Sequence, residues 1–114
     1  MLSLSGCGHP AERALQGLWF GTSVENFDED AVAAATGWAR GTSMEFSGRR
    51  LRVTLPAKPP RVGVYELAKI QDRTVTLNVL GSDGESSELE LIVDDADSMR
   101  WVMDEGRAMV LKKK

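Results

Sequence analysis

From Thr42 to the C-terminus, apolar residues recur at every second position within a series of short segments, and this alternation constrains the fold more than any other feature. A strand directs successive side chains to opposite faces, so each segment has one apolar and one polar face. Short polar turns such as QDR, GSDGES and DEGR separate the segments. The pattern predicts an antiparallel meander with one face buried.

The first predicted hairpin joins residues 44–46 to residues 51–55 through a turn at Ser47 and Gly48. The prolines in residues 56–60 predict a longer loop after it, because proline cannot continue a strand ladder. Further strands are predicted at residues 61–70, 74–80, 87–94, 98–104 and 108–114.

The segment before Thr42 has a different pattern. Residues 15–27 are rich in aromatic and β-branched residues and predict a strand. Three carboxylates then precede an alanine-rich stretch, which predicts a helix over 28–40 with Asp28 as its N-cap. The complete order predicts a mainly β fold, a small antiparallel up-and-down barrel of about eight strands with one α-helix between the first and second strands.

Length and charge limit the classes of function. A chain of 114 residues supports one domain, for which we expect a leader and flexible tether over 1–14 and a single barrel over 15–114. The net charge of −3 offers no broad basic field for a phosphate backbone, so the sequence predicts no nucleic-acid partner. The chain holds no apolar run of the ~18 residues that a spanning helix needs.

Two motifs at the first strand resemble a known group of barrels. Gly17-Leu18-Trp19, followed by Glu25-Asn26-Phe27-Asp28, resembles the opening of the fatty-acid-binding proteins, in which a Gly-x-Trp strand leads into a helical lid. Lipocalins share the Gly-x-Trp, and both families are calycins. The resemblance implies a closed barrel that binds a small hydrophobic ligand or lipid.

The late strands depart from those families. The Arg-x-Tyr pair with which fatty-acid-binding proteins hold a carboxylate is absent, since the last segment reads Arg107-Ala108-Met109. Lipocalins pack a basic residue of the final strand over the Trp. Pairing of the first and last strands here predicts that Lys112 or Lys113 makes that cation–π contact with Trp19.

Leu4-Ser5-Gly6-Cys7 resembles a bacterial lipobox, in which small residues admit a peptidase and the cysteine thiol accepts a diacylglycerol. We therefore expect lipidation at Cys7, the single cysteine, and attachment to a membrane through that lipid. Only Met1 to Ser3 precede the motif, so the expectation implies a longer natural precursor. Gly8 after the cysteine resembles the outer-membrane sorting preference. The alternative is an unmodified thiol in a plain leader.

Other polar clusters predict neither an active site nor a metal site. The single histidine, His9, lies in the predicted leader, where nothing fixes it against a catalytic partner, and together with Cys7 it supplies too few ligands for zinc. Asp94, Asp95 and Asp97 lack the spacing of a calcium loop and predict a solvated turn. We therefore expect a protein that is not an enzyme and needs no cofactor.

A local basic cluster follows the first hairpin and suggests a second class of function. It comprises Arg49, Arg50, Arg52, Lys58 and Arg61. Such a patch either contacts acidic lipid or a protein partner, or consists of ordinary edge and turn charges.

The apolar face of the meander predicts the lining of the barrel, and its inward positions are 44, 46, 51, 53, 55, 75, 77, 79, 89, 91, 93, 99, 101 and 103. Two interpretations stay open, a small hydrophobic pocket and a filled core. For the pocket, the predicted ligand-binding residues are Trp19, Met44, Phe46, Leu77, Leu91, Trp101 and Met103.

The sequence thus favours a non-enzymatic, lipocalin-like lipoprotein of the bacterial cell envelope that binds a small hydrophobic ligand or lipid. We expect it at the outer membrane, facing the periplasm or the surface. The alternative is a filled barrel that serves as an accessory subunit and docks on an envelope protein.

Overall fold

The computed structural model describes residues 10–114 and shows eight antiparallel strands joined in sequence order into a closed barrel. The last strand pairs with the first. The strands are β1 (Gly17–Glu25), β2 (Ser43–Ser47), β3 (Arg50–Thr54), β4 (Arg61–Gln71), β5 (Thr74–Gly81), β6 (Ser86–Asp95), β7 (Ser98–Val102) and β8 (Ala108–Lys113). Helix α1 (Pro10–Leu15) precedes β1, and helix α2 (Val32–Arg40) lies between β1 and β2. The predicted fold class is confirmed.

The meander gives the barrel two different ends. Consecutive strands are antiparallel, so all odd-numbered strands finish at one end and all even-numbered strands at the other. Helix α1 and the β2–β3, β4–β5 and β6–β7 turns lie at what we call the closed end. Helix α2 and the β3–β4, β5–β6 and β7–β8 connections lie at what we call the open end.

Helix α1 covers the closed end through contacts with the first and last strands. Leu15 and Trp19 have no exposed surface, and the Trp19 Nε1 donates a hydrogen bond of 2.8 Å to the Leu15 carbonyl. Lys113, which pairs with Trp19 in the β1–β8 ladder, places its Nζ 5.0 Å from the Trp19 ring centroid. The same ammonium donates to the Ala14 carbonyl at 3.2 Å. The predicted cation–π contact is confirmed, with Lys113 rather than Lys112.

A second set of hydrogen bonds ties α1 to the β2–β3 turn. Gly48 has a φ of +60°, which glycine adopts without strain, and its N–H donates to the Gln16 Oε1 at 2.7 Å. The Gly48 carbonyl accepts from the Tyr65 hydroxyl at 2.8 Å, and the Gln16 Nε2 donates to that hydroxyl at 2.8 Å. Burial raises the pKa of Tyr65, so the phenol stays neutral and donates. The tertiary fold thus satisfies polar groups that would be costly to bury alone.

The interior follows the predicted alternation. Of the predicted inward positions, seven are almost fully buried, namely Met44, Phe46, Leu51, Val75, Leu77, Leu91 and Met99. Six others are partly buried and pack against that core, namely Val53, Val79, Leu89, Val93, Trp101 and Met103. Leu55 is half-buried in the loop that follows β3. Strands β2, β3, β5, β6 and β7 therefore turn their predicted apolar positions inward, as period-two patterning requires.

Two predictions about the chain before β2 are wrong. Helix α2 begins at Val32, not Asp28, and Ala31 precedes it without a side-chain cap. The Asp28 carbonyl instead accepts a hydrogen bond of 2.9 Å from the Ala31 N–H, so a backbone turn comes first. Residues 10–14, expected to be tether, belong to α1, where Ala11 packs against the core. This short helix has no apolar period of its own, and its packing against the barrel end stabilises it instead.

Helix α2 contacts β1 at a position that only glycine fits. A Cβ at Gly21 would overlap the Ala39 carbonyl group, with 2.8 Å to its carbon, and would lie 3.1 Å from the Met109 sulfur. By contrast, a Cβ at Gly37, in the middle of α2, would meet nothing within 4 Å. The helices within residues 10–114 lack the length and the apolar composition of a membrane-spanning segment.

We expect Gly21→Ala to lower the free energy of unfolding by about 1–3 kcal/mol, because the new methyl group overpacks the α2–β1 contact. Gly37→Ala is the matched control. It should raise the free energy of unfolding by about 0.5–1 kcal/mol, since alanine is the better helix former. Urea titrations of both variants would measure the two shifts, and equal effects would contradict the described packing.

Candidate ligand-binding site

A cavity of about 520 Å³ lies at the open end of the barrel, between β3, β4, β5 and β6. Its apolar walls are formed by Leu51, Val53, Leu55, Val79, Leu89 and Trp101. Leu51 is 1% exposed and the five others are half-buried, so the apolar interior continues outward into the cavity. Cavities of this size and character hold small ligands in other proteins.

Strand geometry explains why these side chains meet at one end. Leu51 and Val53 alternate on β3, and Val79 and Leu89 lie on the neighbouring strands β5 and β6. Val53, Val79 and Leu89 occupy inward positions toward the open end, where β3 and β5 finish and β6 begins, whereas Leu51 is the second residue of β3 and belongs to the packed core. The β3–β4 loop adds Leu55 and Pro60 to the wall. The proline-rich loop and the strand ends together shape the opening.

A pair of tryptophans borders the cavity on the α2 side. Trp38 of α2 and Trp101 of β7 lie with ring centroids 6.4 Å apart and planes inclined at 32°. Both rings are partly buried, and both pack against the core. Trp101 also lines the cavity, so α2 supports one of its walls.

The rim of the cavity is polar and charged. Arg61 at the start of β4 lies 3.6 Å from Asp83 and 3.9 Å from Glu85, measured from its Nη2 to the carboxylate oxygens. Asp83 Oδ1 also accepts a hydrogen bond of 3.0 Å from the Glu85 N–H. These side chains are more than half exposed, so the ion pairs are weak and accessible to solvent.

The predicted ligand-binding residues divide into two groups. Trp101 lines the cavity. Trp19, Met44, Phe46, Leu77 and Leu91 lie in the packed core with at most 2% exposure, and Met103 packs against that core. For residues 51, 53, 55, 79 and 89 the sequence predicts an inward face but gives no reason to assign them to the site. Alternation gives a residue's face and does not tell whether that position lies in the packed core or beside the cavity.

Other predicted positions fall outside the site. Cys7 and His9 lie outside the described residues. Asp94 is engaged by Arg100, whose Nε and Nη2 donate to its oxygens at 3.0 and 2.9 Å, and this hydrogen bonding lowers the pKa of Asp94. Asp95 Oδ1 accepts from the Asp97 N–H at 2.8 Å. Among residues 10–114, no group of three or more acidic, histidine or cysteine side chains is arranged to hold a metal ion.

The predicted basic cluster does not form one continuous field. Arg61 belongs to the cavity rim, and Arg49 lies 3.6 Å from Glu66 on β4. Near Arg49, a groove of about 570 Å³ runs along the outside of β4 and β5 and includes the exposed Val64 and Leu80. The outer face therefore carries a small apolar patch with mixed charges.

A comparison with protein-family models found no match, and comparisons with curated proteins and with solved structures found no significant match either.

The described burial predicts that the tryptophans differ in access to solvent. In the double variant Trp38→Phe/Trp101→Phe, only the fully buried Trp19 emits, so acrylamide should quench several-fold less efficiently than in the unmodified protein. The single variant Trp38→Phe keeps Trp101 and should remain readily quenched. Stern–Volmer titrations with circular dichroism as a folding control would test this. Equal quenching of all three proteins would contradict an open end beside Trp101.

Proposed function

We propose that this barrel is a non-enzymatic, lipocalin-like binding domain whose open-end cavity takes a small hydrophobic ligand or lipid. The observation that carries the proposal is the cavity itself, about 520 Å³ with walls of leucine, valine and tryptophan. The first-strand motif adds support, since Trp19 packs beneath Lys113 at the closed end as the resemblance to lipocalins implies. A barrel plugged at one end and open at the other gives a ligand one route of entry.

The hydrophobic effect supplies the driving force for binding. Burial of apolar surface contributes roughly 25 cal/mol per Å², and the half-buried walls offer such surface to a ligand. The packed residues below Leu51, including Phe46 and Leu77, form a floor rather than a further binding space. The cavity at the open end therefore limits the length of the apolar chain that can be bound.

Filling the cavity should abolish binding. We expect Leu89→Trp, which places an indole among the cavity walls, to weaken binding of an uncharged fluorescent apolar probe such as N-phenyl-1-naphthylamine by at least about tenfold. Leu80→Trp is the matched control, because Leu80 is 49% exposed on the outside of β5. Fluorescence titration would measure both affinities. A probe that binds Leu89→Trp as well as the unmodified protein would overturn the proposed site.

We further propose that lipid at Cys7 attaches the domain to a bacterial membrane, at the outer membrane and facing the periplasm or the surface. The support is the Leu4-Ser5-Gly6-Cys7 motif, together with the position of α1, which begins at Pro10 at the closed end. Several acyl chains on one residue would anchor firmly, since each buried methylene contributes about 0.8 kcal/mol.

Mass spectrometry of the protein extracted from its own host would test the anchor. We expect a chain that begins at Cys7 with a covalent mass increase of diacylglycerol type, and we expect Cys7→Ser to remove that mass and release the protein from membranes. A native protein with an unmodified Cys7 thiol would contradict this proposal and leave the cavity proposal intact.

The second candidate function is an accessory subunit that docks on an envelope protein. It is supported by the exposed side chains of Val62, Val64 and Leu80, which lie next to one another on the outside of β4 and β5. Arg50 and Arg52 pair with Val64 and Val62 in the β3–β4 ladder and flank this patch. Reversing the charge of both Arg50 and Arg52 would disrupt such a complex and leave ligand binding in the cavity unchanged. This double variant therefore separates the two candidate functions.

A further inference from the structure

The interior offers no partner for a charged ligand group. Among the described residues the buried polar side chains are Thr42, Ser98 and the phenol of Tyr65, and each has a hydrogen-bond partner. None of the three lines the cavity. Its inner walls are apolar, and its polar lining lies at the open end, in the charged rim and the exposed Ser82, Ser86 and Ser87. A charge placed among those walls would lose its hydration without compensation. A charged head group must therefore stay at the rim.

The rim has an excess of negative charge. The side chains of Asp83 and Glu85 share a single guanidinium, that of Arg61, at 3.6 and 3.9 Å. One positive charge cannot balance two carboxylates, so one negative charge is left uncompensated beside the opening. The hydrogen bond from the Glu85 N–H to Asp83 Oδ1 holds that carboxylate in the turn. The guanidinium is the single cationic group that lines the described cavity, and it is already engaged.

The other connections at the open end add to this field. The segment between β1 and α2 contains the consecutive carboxylates 28–30, and the β7–β8 turn contains Asp104 and Glu105. The opposing positive charges at this end are Arg40 in the last turn of α2, Lys58 in the β3–β4 loop and Arg107, which lies 3.7 Å from Glu105, so the carboxylates still outnumber them. The closed end carries charges of both signs, since the basic run 112–114 and Arg73 lie there with Asp72 and Asp97 of the β4–β5 and β6–β7 turns. The net negative charge of the open end therefore attracts cations toward the cavity.

We propose that the cavity selects amphiphiles with one apolar chain and a cationic head group, such as an alkylammonium. The chain occupies the space between Leu51, Val79, Leu89 and Trp101, and the head group lies at the rim beside Asp83 and Glu85. An anionic head group would meet those two carboxylates and a guanidinium that they already occupy. This inference rests on the proposed ligand-binding function and adds the chemical class of the ligand.

The test compares three single-chain probes of equal chain length below their micelle concentrations: dodecyltrimethylammonium, dodecanoate and the neutral dodecanoylglycerol. Isothermal titration calorimetry at neutral pH and low salt would measure affinity, with circular dichroism to verify that the barrel stays folded. We expect the cation to bind about tenfold more tightly than the anion, with a preference that falls as salt screens the rim.

Two double variants assign the preference to the rim. Asp83→Asn/Glu85→Gln should reduce it to about twofold or less. Glu88→Gln/Glu90→Gln makes the same change of net charge at exposed positions of β6 that do not line the cavity, and should keep the preference.

Each outcome addresses a separate claim. Failure of all three probes to bind would overturn the proposed function. Equal affinities, or tighter binding of dodecanoate, would overturn the head-group inference while the binding function stands. A cation preference that survives in Asp83→Asn/Glu85→Gln would overturn its assignment to these two carboxylates.

Discussion

The pairing of β8 with β1 closes the sheet, and the rest of the structure depends on that closure. It removes the two free edges that a meander would otherwise expose. It also places Lys113 over Trp19 and beside the Ala14 carbonyl, so that α1 can cover the barrel next to the last strand. Burial of Trp19 and Leu15 follows from this arrangement, because neither strand alone could exclude water from them.

The two ends of the barrel have different chemistry because their connections differ. At the closed end, α1, Gln16 and Tyr65 satisfy one another's polar groups across strands that are distant in sequence. At the open end, loops of proline and of short polar residues leave the apolar walls partly exposed. A closed end gives the core its stability, and an open end gives a ligand access. The same barrel can thus be well packed and still hold a cavity. The filled core and the hydrophobic pocket, which the sequence left as alternatives, therefore describe different parts of one barrel.

The shape and the electrostatics of the site have different roles in binding. Walls without charge favour any apolar chain, whereas discrimination between head groups depends on Arg61, Asp83 and Glu85 at the rim. Since these groups are exposed, selectivity would be modest and sensitive to salt. The opposite end carries the basic C-terminal run and the start of α1.

The sequence by itself determined that the chain forms about eight strands and which face of β2, β3, β5, β6 and β7 points inward, because period-two alternation is a local property. The contact of the last strand with Trp19 came from the resemblance, which left Lys112 and Lys113 both open. The sequence did not determine which inward positions lie in the packed core and which lie beside the cavity. Phe46 and Leu89 both alternate inward, yet Phe46 is in the core and Leu89 lines the cavity. Only the tertiary packing of the eight strands decides that difference. The tertiary structure also decided that α1 forms and that Asp28 does not cap α2, since both depend on packing and backbone turns that a short aperiodic segment does not encode.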